Sequence, residues 1–110
     1  MIVRIYWAKT YPDSWRSIEQ KYIELNKIST PGFLGRLVTQ DVNDSESLYT
    51  ITLWKDLESV LAWEASDDFE NVFVAAIRPY IIGSHSISHC EVKVESLTGL
   101  TALLLDSAKR

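Results

Sequence analysis

Two kinds of hydrophobic periodicity alternate along this 110-residue chain, and their order is the feature that most constrains its fold. Segments rich in β-branched and aromatic residues predict four strands, at residues 2–8, 33–42, 47–54 and 87–95. Apolar residues spaced three and four positions apart predict a helix that begins after Asp13. They also predict a second helix between Asp56 and Pro79, which Ser66 interrupts and can cap again. This β-α-β-β-α-β order predicts an α+β, ferredoxin-like fold, in which two helices cover one face of a four-stranded antiparallel sheet.

The C-terminal segment, LTGLTALLLDSAKR, predicts a short tail helix that is apolar enough to need a surface to pack on. A chain of this length forms one domain. We therefore expect a ferredoxin-like domain at residues 1–96 and a C-terminal tail at residues 97–110. Hydrophobic residues make up 46% of the chain and charged residues 24%, which excludes an intrinsically disordered protein.

The two faces of the predicted sheet differ in polarity. Contact with the helices is expected for the more apolar face, whose residues are Val3, Ile5, Trp7, Tyr49, Ile51, Leu53, Cys90, Val92 and Val94. The other face is polar, yet it carries Tyr6 and Trp54, large aromatic residues that a solvent-facing sheet rarely holds. We therefore expect a homodimer in which two sheets face each other as an α/β barrel, with Tyr6 and Trp54 at the interface. A monomer with scattered surface aromatics is the alternative.

Charge and hydropathy exclude several classes of partner. The net charge is -4 and no run of basic residues is present, so a nucleic-acid-binding surface is not expected. No apolar segment reaches the length of a membrane span, so no membrane partner is expected. The N-terminus lacks the pattern of a signal peptide, and the single cysteine, Cys90, cannot form an internal disulfide. These features favour a cytoplasmic protein.

Short motifs in the two central segments are similar to those of a known family. They are Gly32-Phe33 at the start of a strand, Trp54 at the end of the hairpin, Trp63 on the following helix, and Ser66-Asp67-Asp68-Phe69. In these motifs the chain resembles the antibiotic biosynthesis monooxygenase domain family over roughly residues 1–96. The resemblance implies a ferredoxin-like protomer in a dimeric α/β barrel. It also implies one of three roles: cofactor-independent oxygenation, haem degradation, or a role not yet defined.

Haem degradation is the family activity that the sequence disfavours. The resemblance to that branch implies an asparagine on the first strand, a tryptophan on the second helix and a histidine one helical turn beyond the phenylalanine. Trp63 matches the tryptophan, but the histidine position is Phe73 and the asparagine position falls at or near Ile5. A phenylalanine cannot ligate iron, because ligation needs a lone pair.

Cofactor-independent oxygenation of a small aromatic or polyketide-type compound requires less of the protein. The substrate's own enolate or phenolate can react with oxygen in a dry pocket that positions it and favours its deprotonated form. The residues expected to line this pocket are Trp7, Trp63, Phe69 and Phe73. Tyr22, Tyr49 and Arg36 are the candidate catalytic residues, although the tyrosines can equally be core residues and Arg36 can pair with a carboxylate.

No cofactor is expected. His85 and His89 are four residues apart, and in a strand that spacing separates them by roughly 13 Å, too far to share a metal ion. No glycine-rich phosphate loop is present. The alternative to an enzyme is a dimer that binds a small ligand without catalysis, or a stress-associated dimer, because the sequence offers no evident catalytic base.

Overall fold

A computed structural model describes residues 1–108 of the chain. They include a four-stranded antiparallel sheet with strand order β2-β3-β1-β4. The strands are β1 Ile2–Thr10, β2 Phe33–Asp41, β3 Asp44–Trp54 and β4 Ile81–Glu91. The helices are α1 Trp15–Leu25, α2 Leu57–Glu64, a π-helical segment Phe69–Val74, α3 Ala75–Ile77, a 3-10 turn Arg78–Tyr80 and α4 Thr98–Ala108. The predicted ferredoxin-like α+β fold and the tail helix are confirmed. Positions 109–110 of the predicted tail lie outside the described residues, and the boundary at residue 96 stays a prediction.

The second helix is interrupted at Ser66, as its sequence pattern predicted. The Ser66 hydroxyl donates a hydrogen bond to the Trp63 carbonyl (2.6 Å) and accepts one from the Phe69 backbone N–H (3.2 Å). Ser66 therefore ends one helix and caps the next, which is the role that serine commonly takes at helix N-termini. The restart runs into the π-helical segment, a geometry that is rare and often found at functional sites.

Strand β4 begins earlier in the sequence than predicted, at Ile81. Pro79 ends the helical region, and the Tyr11 backbone N–H donates to the Tyr80 carbonyl (3.0 Å), which brings the chain directly beside the end of β1. Because the strand starts here, His85 lies within β4 rather than in a preceding loop, while Val92 and Val94 lie beyond the end of the strand.

The prediction of which sheet face contacts the helices was wrong. Arg4, Thr50, Thr52 and Trp54 are buried beneath the helices, and Trp54 has no exposed surface at all. Tyr6 lies on this same face by alternation along β1. Trp54 therefore cannot form the predicted interface with a second copy, because its ring is already covered within one chain.

Hydrogen bonds explain why the polar face lies inside. The buried Tyr22 hydroxyl pairs with Thr50 Oγ1 (3.0 Å), and the Trp54 indole N–H donates to Thr52 Oγ1 (2.8 Å). Buried polar groups that are paired in this way cost little. The more apolar face, with Val3, Ile5, Trp7, Tyr49, Ile51 and Leu53, is left only partly buried in a single chain.

Candidate functional site

A cavity of about 440 Å³ lies between the helices and the inner face of the sheet. All four strands contribute residues to its lining on the sheet side, and α1, α2, the π-helical segment, α3 and Arg78 contribute on the other side. The lining residues are Arg4, Tyr6, Tyr22, Leu25, Arg36, Thr50, Thr52, Trp63, Phe69, Glu70, Phe73, Val74, Ile77, Arg78, Ile81, Gly83, His85 and Ile87. This volume is within the usual range of sites for small organic ligands.

Aromatic rings that pack on Trp63 form one wall of the cavity. Phe69 and Phe73 meet the indole edge-to-face, with centroid separations of 4.7 and 5.2 Å. Trp54 supports Trp63 from beneath at 5.1 Å. Both phenylalanines lie in the π-helical segment that follows the break at Ser66.

Trp63 is buried, with only 7% of the residue exposed. Its indole N–H has no hydrogen-bond partner among the described residues. A buried donor without a partner costs about 1–3 kcal/mol. Native proteins keep few such groups, and a bond to a water or a ligand is one way in which they are satisfied.

Arg4 brings a positive charge into the same wall. Its guanidinium lies 5.1 Å from the Trp63 ring centroid and 5.5 Å from that of Phe69, within the range of cation–π attraction. Its Nε donates to Glu64 Oε2 at 2.6 Å, and Glu64 also contacts His89 Nε2 at 2.9 Å. The charge of Arg4 is therefore neutralised by the carboxylate of Glu64.

Arg36 enters the cavity from β2 and is held differently. Its guanidinium carbon lies 4.8 Å from the Phe33 centroid, 5.2 Å from that of Phe73 and 5.9 Å from that of Tyr22. Its Nη1 donates to the side-chain amide oxygen of Asn26 at 2.8 Å. Burial lowers the pKa of Arg36 from its ordinary value, since desolvation disfavours the charged form.

Two tyrosines line the cavity, and both hold their protons tightly. Burial raises the pKa of Tyr6 to about 12, and burial also raises the pKa of Tyr22 above its ordinary value. The Tyr6 ring packs against the His85 ring with a centroid separation of 5.4 Å. At neutral pH both phenols are therefore hydrogen-bond donors rather than proton acceptors.

The structure brings together most, but not all, of the residues that the sequence pointed to. Trp63, Phe69, Phe73, Tyr22 and Arg36 line one cavity.

Trp7 and Tyr49 do not line it. They are paired across β1 and β3 on the opposite face of the sheet, where the Trp7 indole N–H donates to Ser47 Oγ at 3.3 Å. They were misplaced because the sequence analysis assigned the apolar face of the sheet to the interior.

Arg4, Tyr6 and His85 are cavity residues that sequence reasoning did not propose. Arg4 and Tyr6 alternate along β1, so a correct face assignment would have found them. His85 required the position of β4, which depends on the backbone contact between Tyr11 and Tyr80. No local signal in the sequence gives that contact.

The part of the chain covered by the structure contains no cluster of three or more His, Cys, Asp or Glu residues that could hold a metal ion. No helix within residues 1–108 is long and apolar enough to cross a membrane. Phe73 presents a ring without a lone pair where a haem-degrading relative would need a histidine, and that ring is packed on Trp63. The residues of this wall therefore do not fit a haem ligand.

Comparison with known proteins places these features in a family. The model of the antibiotic biosynthesis monooxygenase family matches residues 1–75 of the chain. No match was found among curated protein sequences. Solved structures with low sequence identity show the shared fold.

A protein from Bordetella bronchiseptica, provisionally assigned as an antibiotic biosynthesis monooxygenase, is 11% identical, with a TM-score of 0.75 over 84% of this chain and 97% of that one. A protein from Caulobacter crescentus CB15 with the same provisional assignment is 21% identical, with a TM-score of 0.71 over 86% of this chain and 90% of that one. A conserved protein from Methanosarcina mazei Go1 is 19% identical, with a TM-score of 0.69 over 84% and 94% of the two chains. The family model covers well over half of the sequence, and the chain therefore belongs to the antibiotic biosynthesis monooxygenase family.

Proposed function

We propose that this protein is a monooxygenase-like enzyme that oxygenates a small aromatic, polyketide-type compound without a cofactor. The observation that carries the proposal is the cavity of about 440 Å³, walled by Trp63, Phe69 and Phe73 and containing arginine and tyrosine side chains. Aromatic walls suit a planar ring system, and the polar groups suit an oxygen substituent on it. Family membership supports oxygenation as the reaction class.

The proposed reaction converts a ring-flanked CH₂ group into a carbonyl. Loss of a proton gives an enolate, which supplies electrons to O₂ and forms a carbon–oxygen bond. After protonation this gives a hydroperoxide. Elimination of water then breaks the O–O bond and leaves the carbonyl, so one oxygen atom enters the product and the other leaves as water. The protein's contribution is to exclude water, orient the ring and stabilise the enolate oxygen.

Named cavity residues match these tasks. Trp63 and Phe69 hold the ring plane, and the protonated Tyr22 can donate a hydrogen bond to an enolate oxygen. His85 lines the cavity next to Tyr6, and histidine is the side-chain type that accepts a proton near neutral pH. We propose His85, rather than a tyrosine, as the acceptor of the substrate proton.

An oxygen-uptake assay with dithranol, a commercial anthrone, tests this function. We expect the wild-type protein to accelerate its conversion to danthron, with one O₂ consumed for each product molecule. Phe69→Ala should lower kcat/KM about tenfold to a hundredfold, because the ring would lose its positioning wall. Ile23→Ala, an exposed position on α1, is the matched control and should leave the rate unchanged.

Two results would contradict the proposal. One is a rate no greater than that of the uncatalysed autoxidation, measured with heat-denatured protein. The other is a cofactor requirement: activity that a chelator abolishes and a metal ion restores, or activity that is seen only when flavin is added.

The second candidate function is the binding of a small ligand without catalysis. A stress-associated dimer belongs to this same non-catalytic class. The specific observation in its favour is that burial raises the pKa of both cavity tyrosines, Tyr6 and Tyr22, so neither acts as a base at neutral pH. Tight binding of danthron together with no oxygen uptake from dithranol would favour this candidate over the enzyme.

We also propose that the protein is a cytoplasmic homodimer. The two copies would pair through the apolar face of the sheet, which a single chain leaves partly open. Trp7, Ile51 and Leu53 lie on this face, and Leu37 is 53% exposed there. We expect sedimentation at micromolar concentration to give about twice the chain mass of 12.6 kDa. Trp7→Glu should give a folded monomer. A wild-type protein that sediments as a monomer would rule out the dimer, and cell fractionation tests the location.

A further inference from the structure

The three arginines that line the cavity differ in how their charges are balanced. Arg4 is paired with Glu64 at 2.6 Å, and Arg78 is paired with Glu70 at 2.6 Å. Arg36 contacts no carboxylate among the described residues, and its polar partner is the neutral amide of Asn26 at 2.8 Å. Within residues 1–108, Arg36 is therefore the cavity arginine whose charge has no carboxylate partner.

The surroundings of Arg36 make that unbalanced charge informative. The aromatic rings of Phe33, Phe73 and Tyr22 lie within 6 Å of the guanidinium, and Arg36 is half-buried among them. Cation–π contacts offset part of the desolvation cost, but they do not neutralise the charge. Even partial removal of a charge from water costs free energy, and a counter-charge offsets that cost. An anionic ligand would supply the counter-charge that no described residue provides.

Asn26 fixes the direction in which Arg36 faces. It is the residue that follows α1, and its side-chain oxygen takes up one N–H of the guanidinium group at Nη1. The remaining N–H donors stay available for a ligand. A guanidinium group presents its donors in a planar fork, which matches the two oxygens of a carboxylate and can also bind the oxygen of a phenolate.

We infer that Arg36 is the anion-recognition residue of the cavity, and that the preferred ligand is a small aromatic compound carrying one negatively charged oxygen group. The aromatic wall at Trp63 holds the ring, and Arg36 holds the charge. This inference rests on the proposed function for the position of the ligand, but it concerns binding and does not require turnover.

The inference is tested by measuring the binding of matched charged and neutral compounds. The quenching of tryptophan fluorescence monitors the binding. Naphthoate and naphthamide differ in charge but hardly in shape, and they test a carboxylate. Para-nitrophenolate and para-nitroanisole make the same comparison for a phenolate oxygen. We expect the wild-type protein to bind at least one anion about tenfold or more tightly than its neutral counterpart, since hydrogen bonds to charged groups are the stronger class.

Substitutions of Arg36 then locate the preference. Arg36→Gln should weaken anion binding about tenfold to a hundredfold and change binding of the neutral compound less than about twofold. Arg36→Lys keeps the charge and should retain part of the preference. Arg16→Gln, which removes an exposed arginine from α1, is the matched control and should change neither affinity. Thermal melting of each variant separates a loss of binding from a loss of folding.

The outcomes separate this inference from the proposed function. A wild-type protein that prefers an anion but does not oxidise dithranol contradicts the function and leaves the inference intact. A protein that oxidises dithranol but binds charged and neutral compounds equally, or binds neither anion, overturns the inference alone. An anion preference that survives in Arg36→Gln would also overturn it, because the charge would then be recognised elsewhere.

Discussion

Trp54→Ala is expected to lower the free energy of unfolding by about 3–5 kcal/mol, the usual range when a large aromatic is removed from a core. Trp54 is fully buried, packs on Phe33 at 5.3 Å and on Trp63 at 5.1 Å, and donates a hydrogen bond to Thr52. The substitution removes all of these contacts and leaves a void beneath the cavity wall. Urea denaturation monitored by circular dichroism measures the effect.

The same experiment distinguishes the two faces of the sheet. If Trp54 were an interface residue, its loss would weaken the dimer, and the size of the stability loss would depend on protein concentration. We expect the loss to be the same at all concentrations, because the contacts lie within one chain. Trp54→Phe provides a milder variant that keeps most of the ring. Leu61→Ala, at a position 47% exposed on α2, is the control and should change stability by about 0.5 kcal/mol or less.

Gly32→Ala is expected to destabilise the protein by about 2–5 kcal/mol, from two separate causes. The backbone of Gly32 has φ +78, a conformation that side chains rarely adopt. A Cβ atom at this position would also overlap the side chain of Ser59 on α2. Gly32 therefore lets the start of β2 lie directly against the first turn of α2, close to the Asp56 cap that accepts the Ser59 backbone N–H.

Gly83 provides a control that separates these two causes. It has a similar φ of +67, but a Cβ atom there would meet nothing within 4 Å. Gly83→Ala should therefore cost only the conformational part, about 1–2 kcal/mol. Gly32→Ala measured in a Ser59→Gly background should lose the steric part, and a double-mutant cycle gives the coupling. Equal costs for both glycines would show that the contact with Ser59 is unimportant.

Local patterns predicted the elements that depend on local chemistry. Ser66 was expected to break and restart the second helix, and its hydroxyl does bond to both sides of the break. A glycine inside a strand is typical of a bulge, and at Gly35 the pairing of β2 with β3 does shift, between Phe33 and Gly35. Each of these features is decided by residues within a few positions of one another.

The sheet faces show where local reasoning stops. Hydrophobicity alone assigns Val3, Ile5 and Trp7 to the interior, because an apolar face normally packs on helices. Arg4 is inside instead, and its charge is balanced by Glu64, which is sixty positions away in the sequence. An arginine as fully buried as Arg4 normally needs such a partner, and the sequence does not reveal which carboxylate will reach it.

From the sequence by itself, the β-α-β-β-α-β order, the broken helix and the family resemblance were determined, since periodicity, caps and short motifs are properties of neighbouring residues. Only the tertiary structure decided which face of the sheet encloses the cavity, that His85 lines it, and that Arg36 is the cavity arginine without a carboxylate among the described residues. The physical reason is that burial and charge pairing depend on groups far apart in the chain, whose meeting is fixed by strand register and helix packing.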